Sequence, residues 1–120
     1  MSNMSEDFDP IAVVVDWLDA CRKRDLAALL DLYGSEASLE CSCDGIHIHG
    51  RDALEAYWRP RLGDLVPTAF GLEEIEPTPD GVVLDYSSFE GKPVRIEFYF
   101  VPGGKIGQTR CGPFQRPAGN

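Results

Sequence analysis

Two cysteines and two histidines lie close together in the segment LECSCDGIHIHG. Thiolate and imidazole groups are the usual ligands of zinc, so Cys41, Cys43, His47 and His49 raise the question of a metal site. The spacing argues against one, because paired cysteine ligands of structural zinc are usually separated by roughly two to four residues. Here a single serine separates them.

The same segment predicts a β-hairpin, because Asp-Gly is a strong turn signal. A two-residue loop at Asp44-Gly45 pairs Cys41 with Ile48, which puts the cysteines on an apolar face and the histidines on a polar one. A three-residue loop would set Cys41 opposite His47, but it would place both isoleucines beside polar residues. We therefore expect no metal site, with buried thiols and two surface histidines.

The composition limits the partners of the chain. It has 120 residues, 43% of them hydrophobic, and a formal net charge of −9. This length suits one domain with a real core. Such an acidic surface repels phosphate backbones and anionic lipid, so we expect neither nucleic acid nor a membrane as a partner.

The chain divides into a leader (residues 1–9), a domain (residues 10–112) and a tail (residues 113–120). The leader is polar and acidic, without the basic and apolar regions of a signal peptide. Four cysteines in a chain without such a signal are more typical of free thiols than of disulfides. These features indicate a cytoplasmic protein.

Helical periodicity marks the first half of the chain. Asp9 can cap a first helix with Pro10 at its first position. Asp25 can cap a short second helix, which we expect to run from Leu26 to Tyr33. A third helix is expected from about Asp52 to Leu62.

Strand patterns mark the second half. The segments VVLDYSSF, VRIEFYFV and KIGQTRC alternate between apolar and polar residues, and turn residues separate them. An earlier strand, about Thr68 to Glu76, loses its alternation at Glu73-Glu74, where we expect a bulge. Helices followed by such strands predict an α+β fold whose antiparallel sheet curls around the helices.

The order of these elements is similar to a known fold. DWLDACRKRDLAALLDLYGSEASLE, then IHIHGRDALEAYWRPRL, then GKIGQTRCG resemble the SnoaL-like branch of the nuclear transport factor 2-like superfamily, from roughly Pro10 to Gly112. The resemblance implies a cone: three N-terminal helices packed in a strongly bent antiparallel sheet. It also implies a pocket at the open end and, often, a dimer through the outer face of the sheet.

The catalytic residues of related enzymes are absent from the matching positions. Where ketosteroid isomerases of this fold have a tyrosine and two aspartic acids, this chain has Trp17, Cys41 and Ile96. The pocket histidines of scytalone dehydratases and the Asp–Arg–Asp triad of limonene epoxide hydrolases have no evident counterpart either. The fold hosts isomerases, cyclases, dehydratases and non-catalytic binders, so it does not decide the function.

One carboxyl group could still act as a catalytic base. A two-residue turn at Glu90-Gly91 places Asp85 inside the cone, opposite Ile96, where it could act as a general base near neutral pH. A three-residue turn instead sends Asp85 outward and turns Leu84 and Tyr86 inward. The sequence supports the two registers about equally.

We therefore expect a SnoaL-like protein that binds a small apolar or amphipathic molecule in the conical pocket, with no metal and no cofactor. One alternative is a cofactor-independent isomerase, cyclase or dehydratase with Asp85 as its base. Another is a non-catalytic dimeric module whose own side chains fill the cavity. The residues expected to line the pocket are Trp17, Tyr33, Cys41, Tyr57, Trp58, Ile96, Phe98 and Cys111.

The outer face of the sheet is the expected dimer contact. A two-residue turn at Gly103-Gly104 pairs Glu97 with Arg110 and Tyr99 with Gln108 on that face. Such a mixture of polar and aromatic side chains suits a contact between subunits, and a solvated sheet face is the alternative.

Overall fold

The computed structural model describes residues 9–42 and 45–113. The predicted leader and tail fall largely on residues 1–8 and 114–120, which lie outside the described residues, as do Cys43 and Asp44. The elements are α1 Pro10–Arg22, α2 Leu26–Asp31, β1 Tyr33–Cys41, β2 Ile46–His49, α3 Arg51–Leu62, β3 Leu72–Pro77, β4 Gly81–Ser87, β5 Pro93–Phe100 and β6 Ile106–Pro113. The α+β prediction is confirmed. None of the described helices has the length and apolar character needed to cross a bilayer.

The six described strands form one curved, unclosed sheet in the order β2-β1-β6-β5-β4-β3. The expectation of a wholly antiparallel sheet is wrong, because β1 and β6 run parallel and only the other neighbours are antiparallel. Alternation of apolar and polar residues reveals the faces of a strand but not its direction. The helices also differ in place, since α3 follows β2 and only α1 and α2 precede the sheet.

Side-chain caps stabilise the N-termini of the first two helices. The carboxylate of Asp9 accepts a hydrogen bond from the backbone N–H of Ile11 at 3.0 Å, and that of Asp25 accepts one from Ala28 at 3.1 Å. The second helix is shorter than predicted, because Tyr33 belongs to β1. The N–H of Ile106 donates to the carbonyl of Leu32 at 2.8 Å, so the chain begins to pair with β6 directly after α2.

The first hairpin keeps the predicted faces but not the predicted loop. Cys41 is opposite Ile46 and Leu39 is opposite Ile48, which is a shift of two residues from the expected pairing. An even shift preserves the face of every side chain. Cys41 is accordingly buried on the inner face, whereas His47 and His49 are exposed.

The other predicted registers mostly hold. The bulge expected near Glu73-Glu74 is confirmed by a register shift between Leu72 and Glu74. The pairing of β5 with β6 is also as predicted, although Gly103-Gly104 does not form a two-residue turn, since Val101 bonds to Lys105 across a longer loop. A register shift between Tyr99 and Phe100 then restores the expected pairs, which are Glu97 with Arg110 and Tyr99 with Gln108.

Candidate functional site

The deep part of the cone is filled by the protein's own side chains, centred on Trp17. Four rings meet the fully buried Trp17 edge to face, with centroids 5.2–5.8 Å away: Trp58, Phe70, Tyr86 and Phe98. The indole N–H of Trp17 donates to the hydroxyl of Tyr33 at 3.1 Å, so the one polar atom of the indole is satisfied.

Half of the residues expected in the pocket wall belong to this core instead. Trp17, Tyr33, Ile96 and Phe98 are each at most 4% exposed, and none of them lines the pocket described next. Their placement is a correction to the prediction. Large apolar side chains on inner faces serve equally well to fill a cone or to line it, and here they fill it.

A pocket of about 220 Å³ remains nearer the open end of the cone. Four of the predicted residues lie in its wall: Cys41, Tyr57, Trp58 and Cys111. Cys41 and Cys111 are partners on the parallel strands β1 and β6, so their side chains share the inner face. Helix α3 supplies the aromatic side of the pocket, and the turn between β4 and β5 supplies its rim.

The same wall contains residues that the sequence pattern did not predict for the pocket. Arg61 and Tyr86 are the important ones, because each brings a polar group into an aromatic pocket. Arg61 was discoverable, since it lies four residues after Tyr57 and therefore on the same face of α3. Tyr86 faces the pocket only in the register that the three-residue turn between β4 and β5 produces.

Asp85 lies on the outer face of the sheet, away from the pocket. Ser88 bonds to Lys92 across a three-residue turn, which puts Asp85 opposite Arg95 and turns Leu84 and Tyr86 inward. Arg95 donates to both carboxylate oxygens of Asp85, at 2.7 Å and 2.9 Å. Of the two registers that the sequence left open, the structure has the one that sends Asp85 outward, so the expectation of a catalytic base inside the cone is wrong. The apolar area that Leu84 and Tyr86 bury favours this register.

Phe70 holds an unusual backbone conformation in the pocket wall. Its φ of 58° lies in the left-handed region, where a residue with a large side chain is disfavoured by about 1 kcal/mol or more. Both of its backbone groups are bonded, the N–H to Ser87 at 2.6 Å and the carbonyl to the Nε–H of Arg22 at 3.0 Å. The ring stacks on Tyr86 at 11°. Such strain is typical of binding and catalytic sites.

Contacts with Tyr57 and Phe89 are among those that hold Arg61 against the aromatic wall. Its guanidinium carbon lies 3.7 Å from the centroid of the Tyr57 ring and 5.6 Å from that of Phe89. One Nη–H donates to the Tyr57 carbonyl at 2.8 Å. Pro60 precedes Arg61 inside α3 and has no N–H, so this turn of the helix lacks one backbone hydrogen bond.

The polar groups of the wall are better suited to binding than to proton abstraction. Burial raises the pKa of the Tyr86 hydroxyl well above its ordinary value, so this group stays protonated and can donate a hydrogen bond. Among the described wall residues the one carboxyl group is Glu90, which lies at the exposed turn with an oxygen 3.8 Å from Nζ of Lys92.

Comparisons with known proteins identify the architecture. No protein-family model and no curated protein matches the sequence, whereas many solved structures match the fold. A SnoaL-like protein of unknown function from Burkholderia thailandensis E264 matches with a TM-score of 0.75 at 20% identity, over 85% of this chain and 91% of that one.

Two further structures show how varied the proteins of this fold are. A steroid delta-isomerase from Pseudomonas aeruginosa has a TM-score of 0.67 at 19% identity, over 91% of this chain and 80% of that one. The orange carotenoid protein of Anabaena (Nostoc) sp. PCC 7120, solved with canthaxanthin, has a TM-score of 0.65 at 19% identity, over 88% of this chain and 37% of that one. The fold of this chain is therefore that of the SnoaL-like and nuclear transport factor 2-like proteins.

Proposed function

We propose that this protein binds a small apolar or amphipathic molecule in the pocket at the open end of the cone. The observation that carries the proposal is the pocket of about 220 Å³, with aromatic walls and a few polar groups. Pockets for drug-sized ligands usually measure about 300–1,000 Å³, so this one suits a smaller molecule, such as a single substituted ring.

The site residues support the hypothesis of binding without catalysis. The isomerase-type positions are occupied by Trp17, Cys41 and Ile96, and Asp85 pairs with Arg95 on the other face of the sheet. Tyr86 is a hydrogen-bond donor rather than a base. The aromatic cluster supports the alternative of a self-filled cavity for the deep part of the cone, whereas the described residues leave a pocket in the outer part.

Filling the pocket should abolish binding while leaving the fold intact. Val94 lies in the pocket wall, and we expect Val94→Phe to occupy most of the free volume. Because the new ring enters a cavity and not packed core, the free energy of unfolding should change by less than about 1.5 kcal/mol. Ligand-observed NMR with the neutral probes phenol and benzyl alcohol measures the binding, for which we expect a Kd of about 1 mM in the unmodified protein.

Val83→Phe is the matched control, because Val83 lies on the outer face of the neighbouring strand, opposite Glu97. It should leave probe binding unchanged. If neither neutral probe binds the unmodified protein, or if both bind Val94→Phe as well as they bind the unmodified protein, the pocket is not a binding site for such molecules.

We also propose a homodimer through the outer face of the sheet. Glu97 and Arg110 are cross-strand partners there, and the hydroxyl of Tyr99 donates to Glu97 at 2.9 Å. Glu40 and Arg95 extend this surface, so charges of both signs line a groove of about 440 Å³. A two-fold axis lets such a surface meet itself with opposite charges in contact.

Light scattering at micromolar concentration should return twice the chain mass of 13.2 kDa. Tyr99→Glu places a second carboxylate beside Glu97 and should convert the dimer to a monomer by like-charge repulsion. Arg59→Glu, a charge change on the exposed side of α3, should leave the mass unchanged. A monomer mass for the unmodified protein at these concentrations contradicts the dimer.

We place the protein in the cytoplasm, with neither nucleic acid nor a membrane among its partners. The buried Cys21 is a free thiol, which supports a reducing compartment. The net charge of −9 supports the absence of partners with phosphate backbones.

A further inference from the structure

We propose that the ligand of the pocket is an uncharged molecule whose acceptor oxygen, such as that of a carbonyl, bonds to the hydroxyl of Tyr86 while its apolar body lies against the aromatic wall. The proposal rests on the binding function proposed above and adds to it the chemical class of the ligand. The observation that carries it is a buried hydroxyl without an acceptor among the described residues.

The hydroxyl of Tyr86 belongs to a residue that is only 6% exposed and lies in the pocket wall. It makes no hydrogen bond to any residue that the structure describes, and its oxygen is not among the described side-chain atoms that are sealed from solvent without a partner. The hydroxyl is therefore reached from the pocket. Whatever fills the pocket decides whether this donor is bonded.

Displacement of water makes this hydroxyl selective. A molecule that fills the pocket separates the hydroxyl from water, and an occupant without an acceptor leaves it buried and unpaired. An unpaired buried donor costs more free energy than a satisfied hydrogen bond contributes, so a site with such a donor rejects analogues that cannot bond to it. Although its walls are aromatic, the pocket should thus disfavour a pure hydrocarbon of the right shape.

Packing around the ring of Tyr86 fixes the direction of the donor. The ring stacks on Phe70 at 11° and meets Trp17 edge to face, with centroids 5.4 Å apart. Phe70 is itself held by its backbone bonds to Ser87 and Arg22. A donor that is already oriented loses little conformational entropy when a ligand arrives, so its hydrogen bond contributes more fully to the affinity.

The surroundings of the hydroxyl favour an uncharged acceptor over an anion. Trp58, Phe70 and Val94 lie in the same wall, and each is at most 7% exposed. Burial raises the pKa of Tyr86 well above its ordinary value, because a phenolate at this depth would lose its hydration. A ligand carboxylate placed against the hydroxyl would meet the same penalty, whereas a carbonyl accepts the bond without a formal charge.

Tyr99 provides a matched control on the other side of the sheet. Its hydroxyl donates to Glu97 at 2.9 Å on the outer face, and Tyr99 is not part of the pocket wall. Tyr86→Phe and Tyr99→Phe therefore remove the same atom from the same residue type, and neither changes a charge. A general effect of a missing hydroxyl would appear in both variants, and recognition in the pocket would involve Tyr86 alone.

The test compares acetophenone with α-methylstyrene, in which a methylene group replaces the carbonyl oxygen at nearly constant shape. Ligand-observed NMR gives the Kd of each probe for the unmodified protein and for the variants. Tyr86→Phe should weaken acetophenone binding and leave α-methylstyrene binding unchanged or tighter, so we expect the ratio of the two Kd values to shift by about tenfold. Tyr99→Phe should leave the ratio unchanged. Because the ratio is compared between variants, the different hydration of the two probes cancels.

The stability of Tyr86→Phe is a second measurement, which needs no ligand. Because the hydroxyl has no partner in the described part of the chain, its removal should leave the urea midpoint of unfolding unchanged or raised. Tyr33→Phe, which removes the hydrogen bond with Trp17, should lower the midpoint. An equally lowered midpoint for Tyr86→Phe would show that the hydroxyl bonds within the protein, and it would overturn the proposal.

The outcomes separate this proposal from the function on which it rests. If phenol, benzyl alcohol and acetophenone bind but Tyr86→Phe shifts the ratio by less than about threefold, the pocket is a binding site and the assignment of Tyr86 is wrong. If no single-ring probe binds, both proposals fail. Benzoate is the charged probe, and tighter binding of benzoate than of acetophenone to the unmodified protein contradicts the uncharged class.

Discussion

Replacing Trp17 by alanine is expected to remove about 4–5 kcal/mol of stability, which is a large fraction of the roughly 5–15 kcal/mol that stabilises a typical domain. Trp17 is completely buried and meets four rings, so its removal leaves a cavity that its aromatic neighbours cannot close. The hydroxyl of Tyr33 also loses the N–H that bonds to it. Urea unfolding followed by far-ultraviolet circular dichroism measures the loss.

Trp17→Phe separates the two contributions. It keeps an aromatic ring at the centre of the core and removes the indole N–H, so we expect a smaller loss of about 1–3 kcal/mol. Tyr33→Phe removes the same hydrogen bond from the other side and serves as the matched variant. A loss below about 2 kcal/mol for Trp17→Ala would show that the aromatic cluster does not support the core as described.

The second large effect concerns the ion pair of Asp85 with Arg95, which is asymmetric in its exposure. The side chain of Asp85 is 5% exposed and that of Arg95 is 48% exposed. Arg95→Ala leaves a buried carboxylate without its two hydrogen bonds, and we expect it to cost about 2–3 kcal/mol. Asp85→Ala leaves an arginine that water can solvate, so about 1 kcal/mol is expected. Urea unfolding of the two single variants and the double variant gives the coupling energy.

Arg110→Ala is the control for this prediction. Arg110 pairs with Glu40 at 3.4 Å on the same face of the sheet, but both members of this pair are well exposed, Arg110 at 55% and Glu40 at 44%. Its loss should cost less than about 1 kcal/mol. Equal costs for Arg95→Ala and Asp85→Ala would contradict the assignment of the burial to the carboxylate.

The fold was largely predictable because the faces of strands depend on parity. In the first hairpin the pairing differs by two residues from the expected one, and Cys41 still faces inward, because an even shift keeps every side chain on its face. In the pair β4–β5 the difference between turns of two and three residues is odd, so it reverses the faces and moves Asp85 from the pocket to the outer surface. Turn length decides such cases, and the turn residues Glu90 and Gly91 suit both lengths.

The pocket was less predictable than the fold, because an aromatic side chain on an inner face has two uses. Trp17 and Trp58 have the same type and both lie on inner helix faces, yet Trp17 belongs to the core and Trp58 to the pocket wall. Where the filled part of the cone ends depends on the curvature of the sheet and on the backbone at Phe70, and neither follows from local pattern. Arg61 was the better signal, since a charged residue on an otherwise aromatic helix face needs a reason to be there.

The parallel pairing of β1 with β6 has a consequence for the kinetics of folding. These strands are separated by more than half of the chain, whereas β3, β4, β5 and β6 form through short connections. Closing so long a loop costs entropy before any contact compensates for it, so the β1–β6 seam is expected to form late.

Until that seam forms, the inner edge of β1 has no partner. During synthesis, the hairpin of β1 and β2 leaves the ribosome long before β6 does, with backbone N–H and C=O groups exposed along β1. An unpaired edge of this kind can recruit a strand from another chain, and the strongly acidic character of the protein opposes such encounters by charge repulsion. The segment Ile106–Pro113 is thus both the last described strand to be made and the one that protects the first.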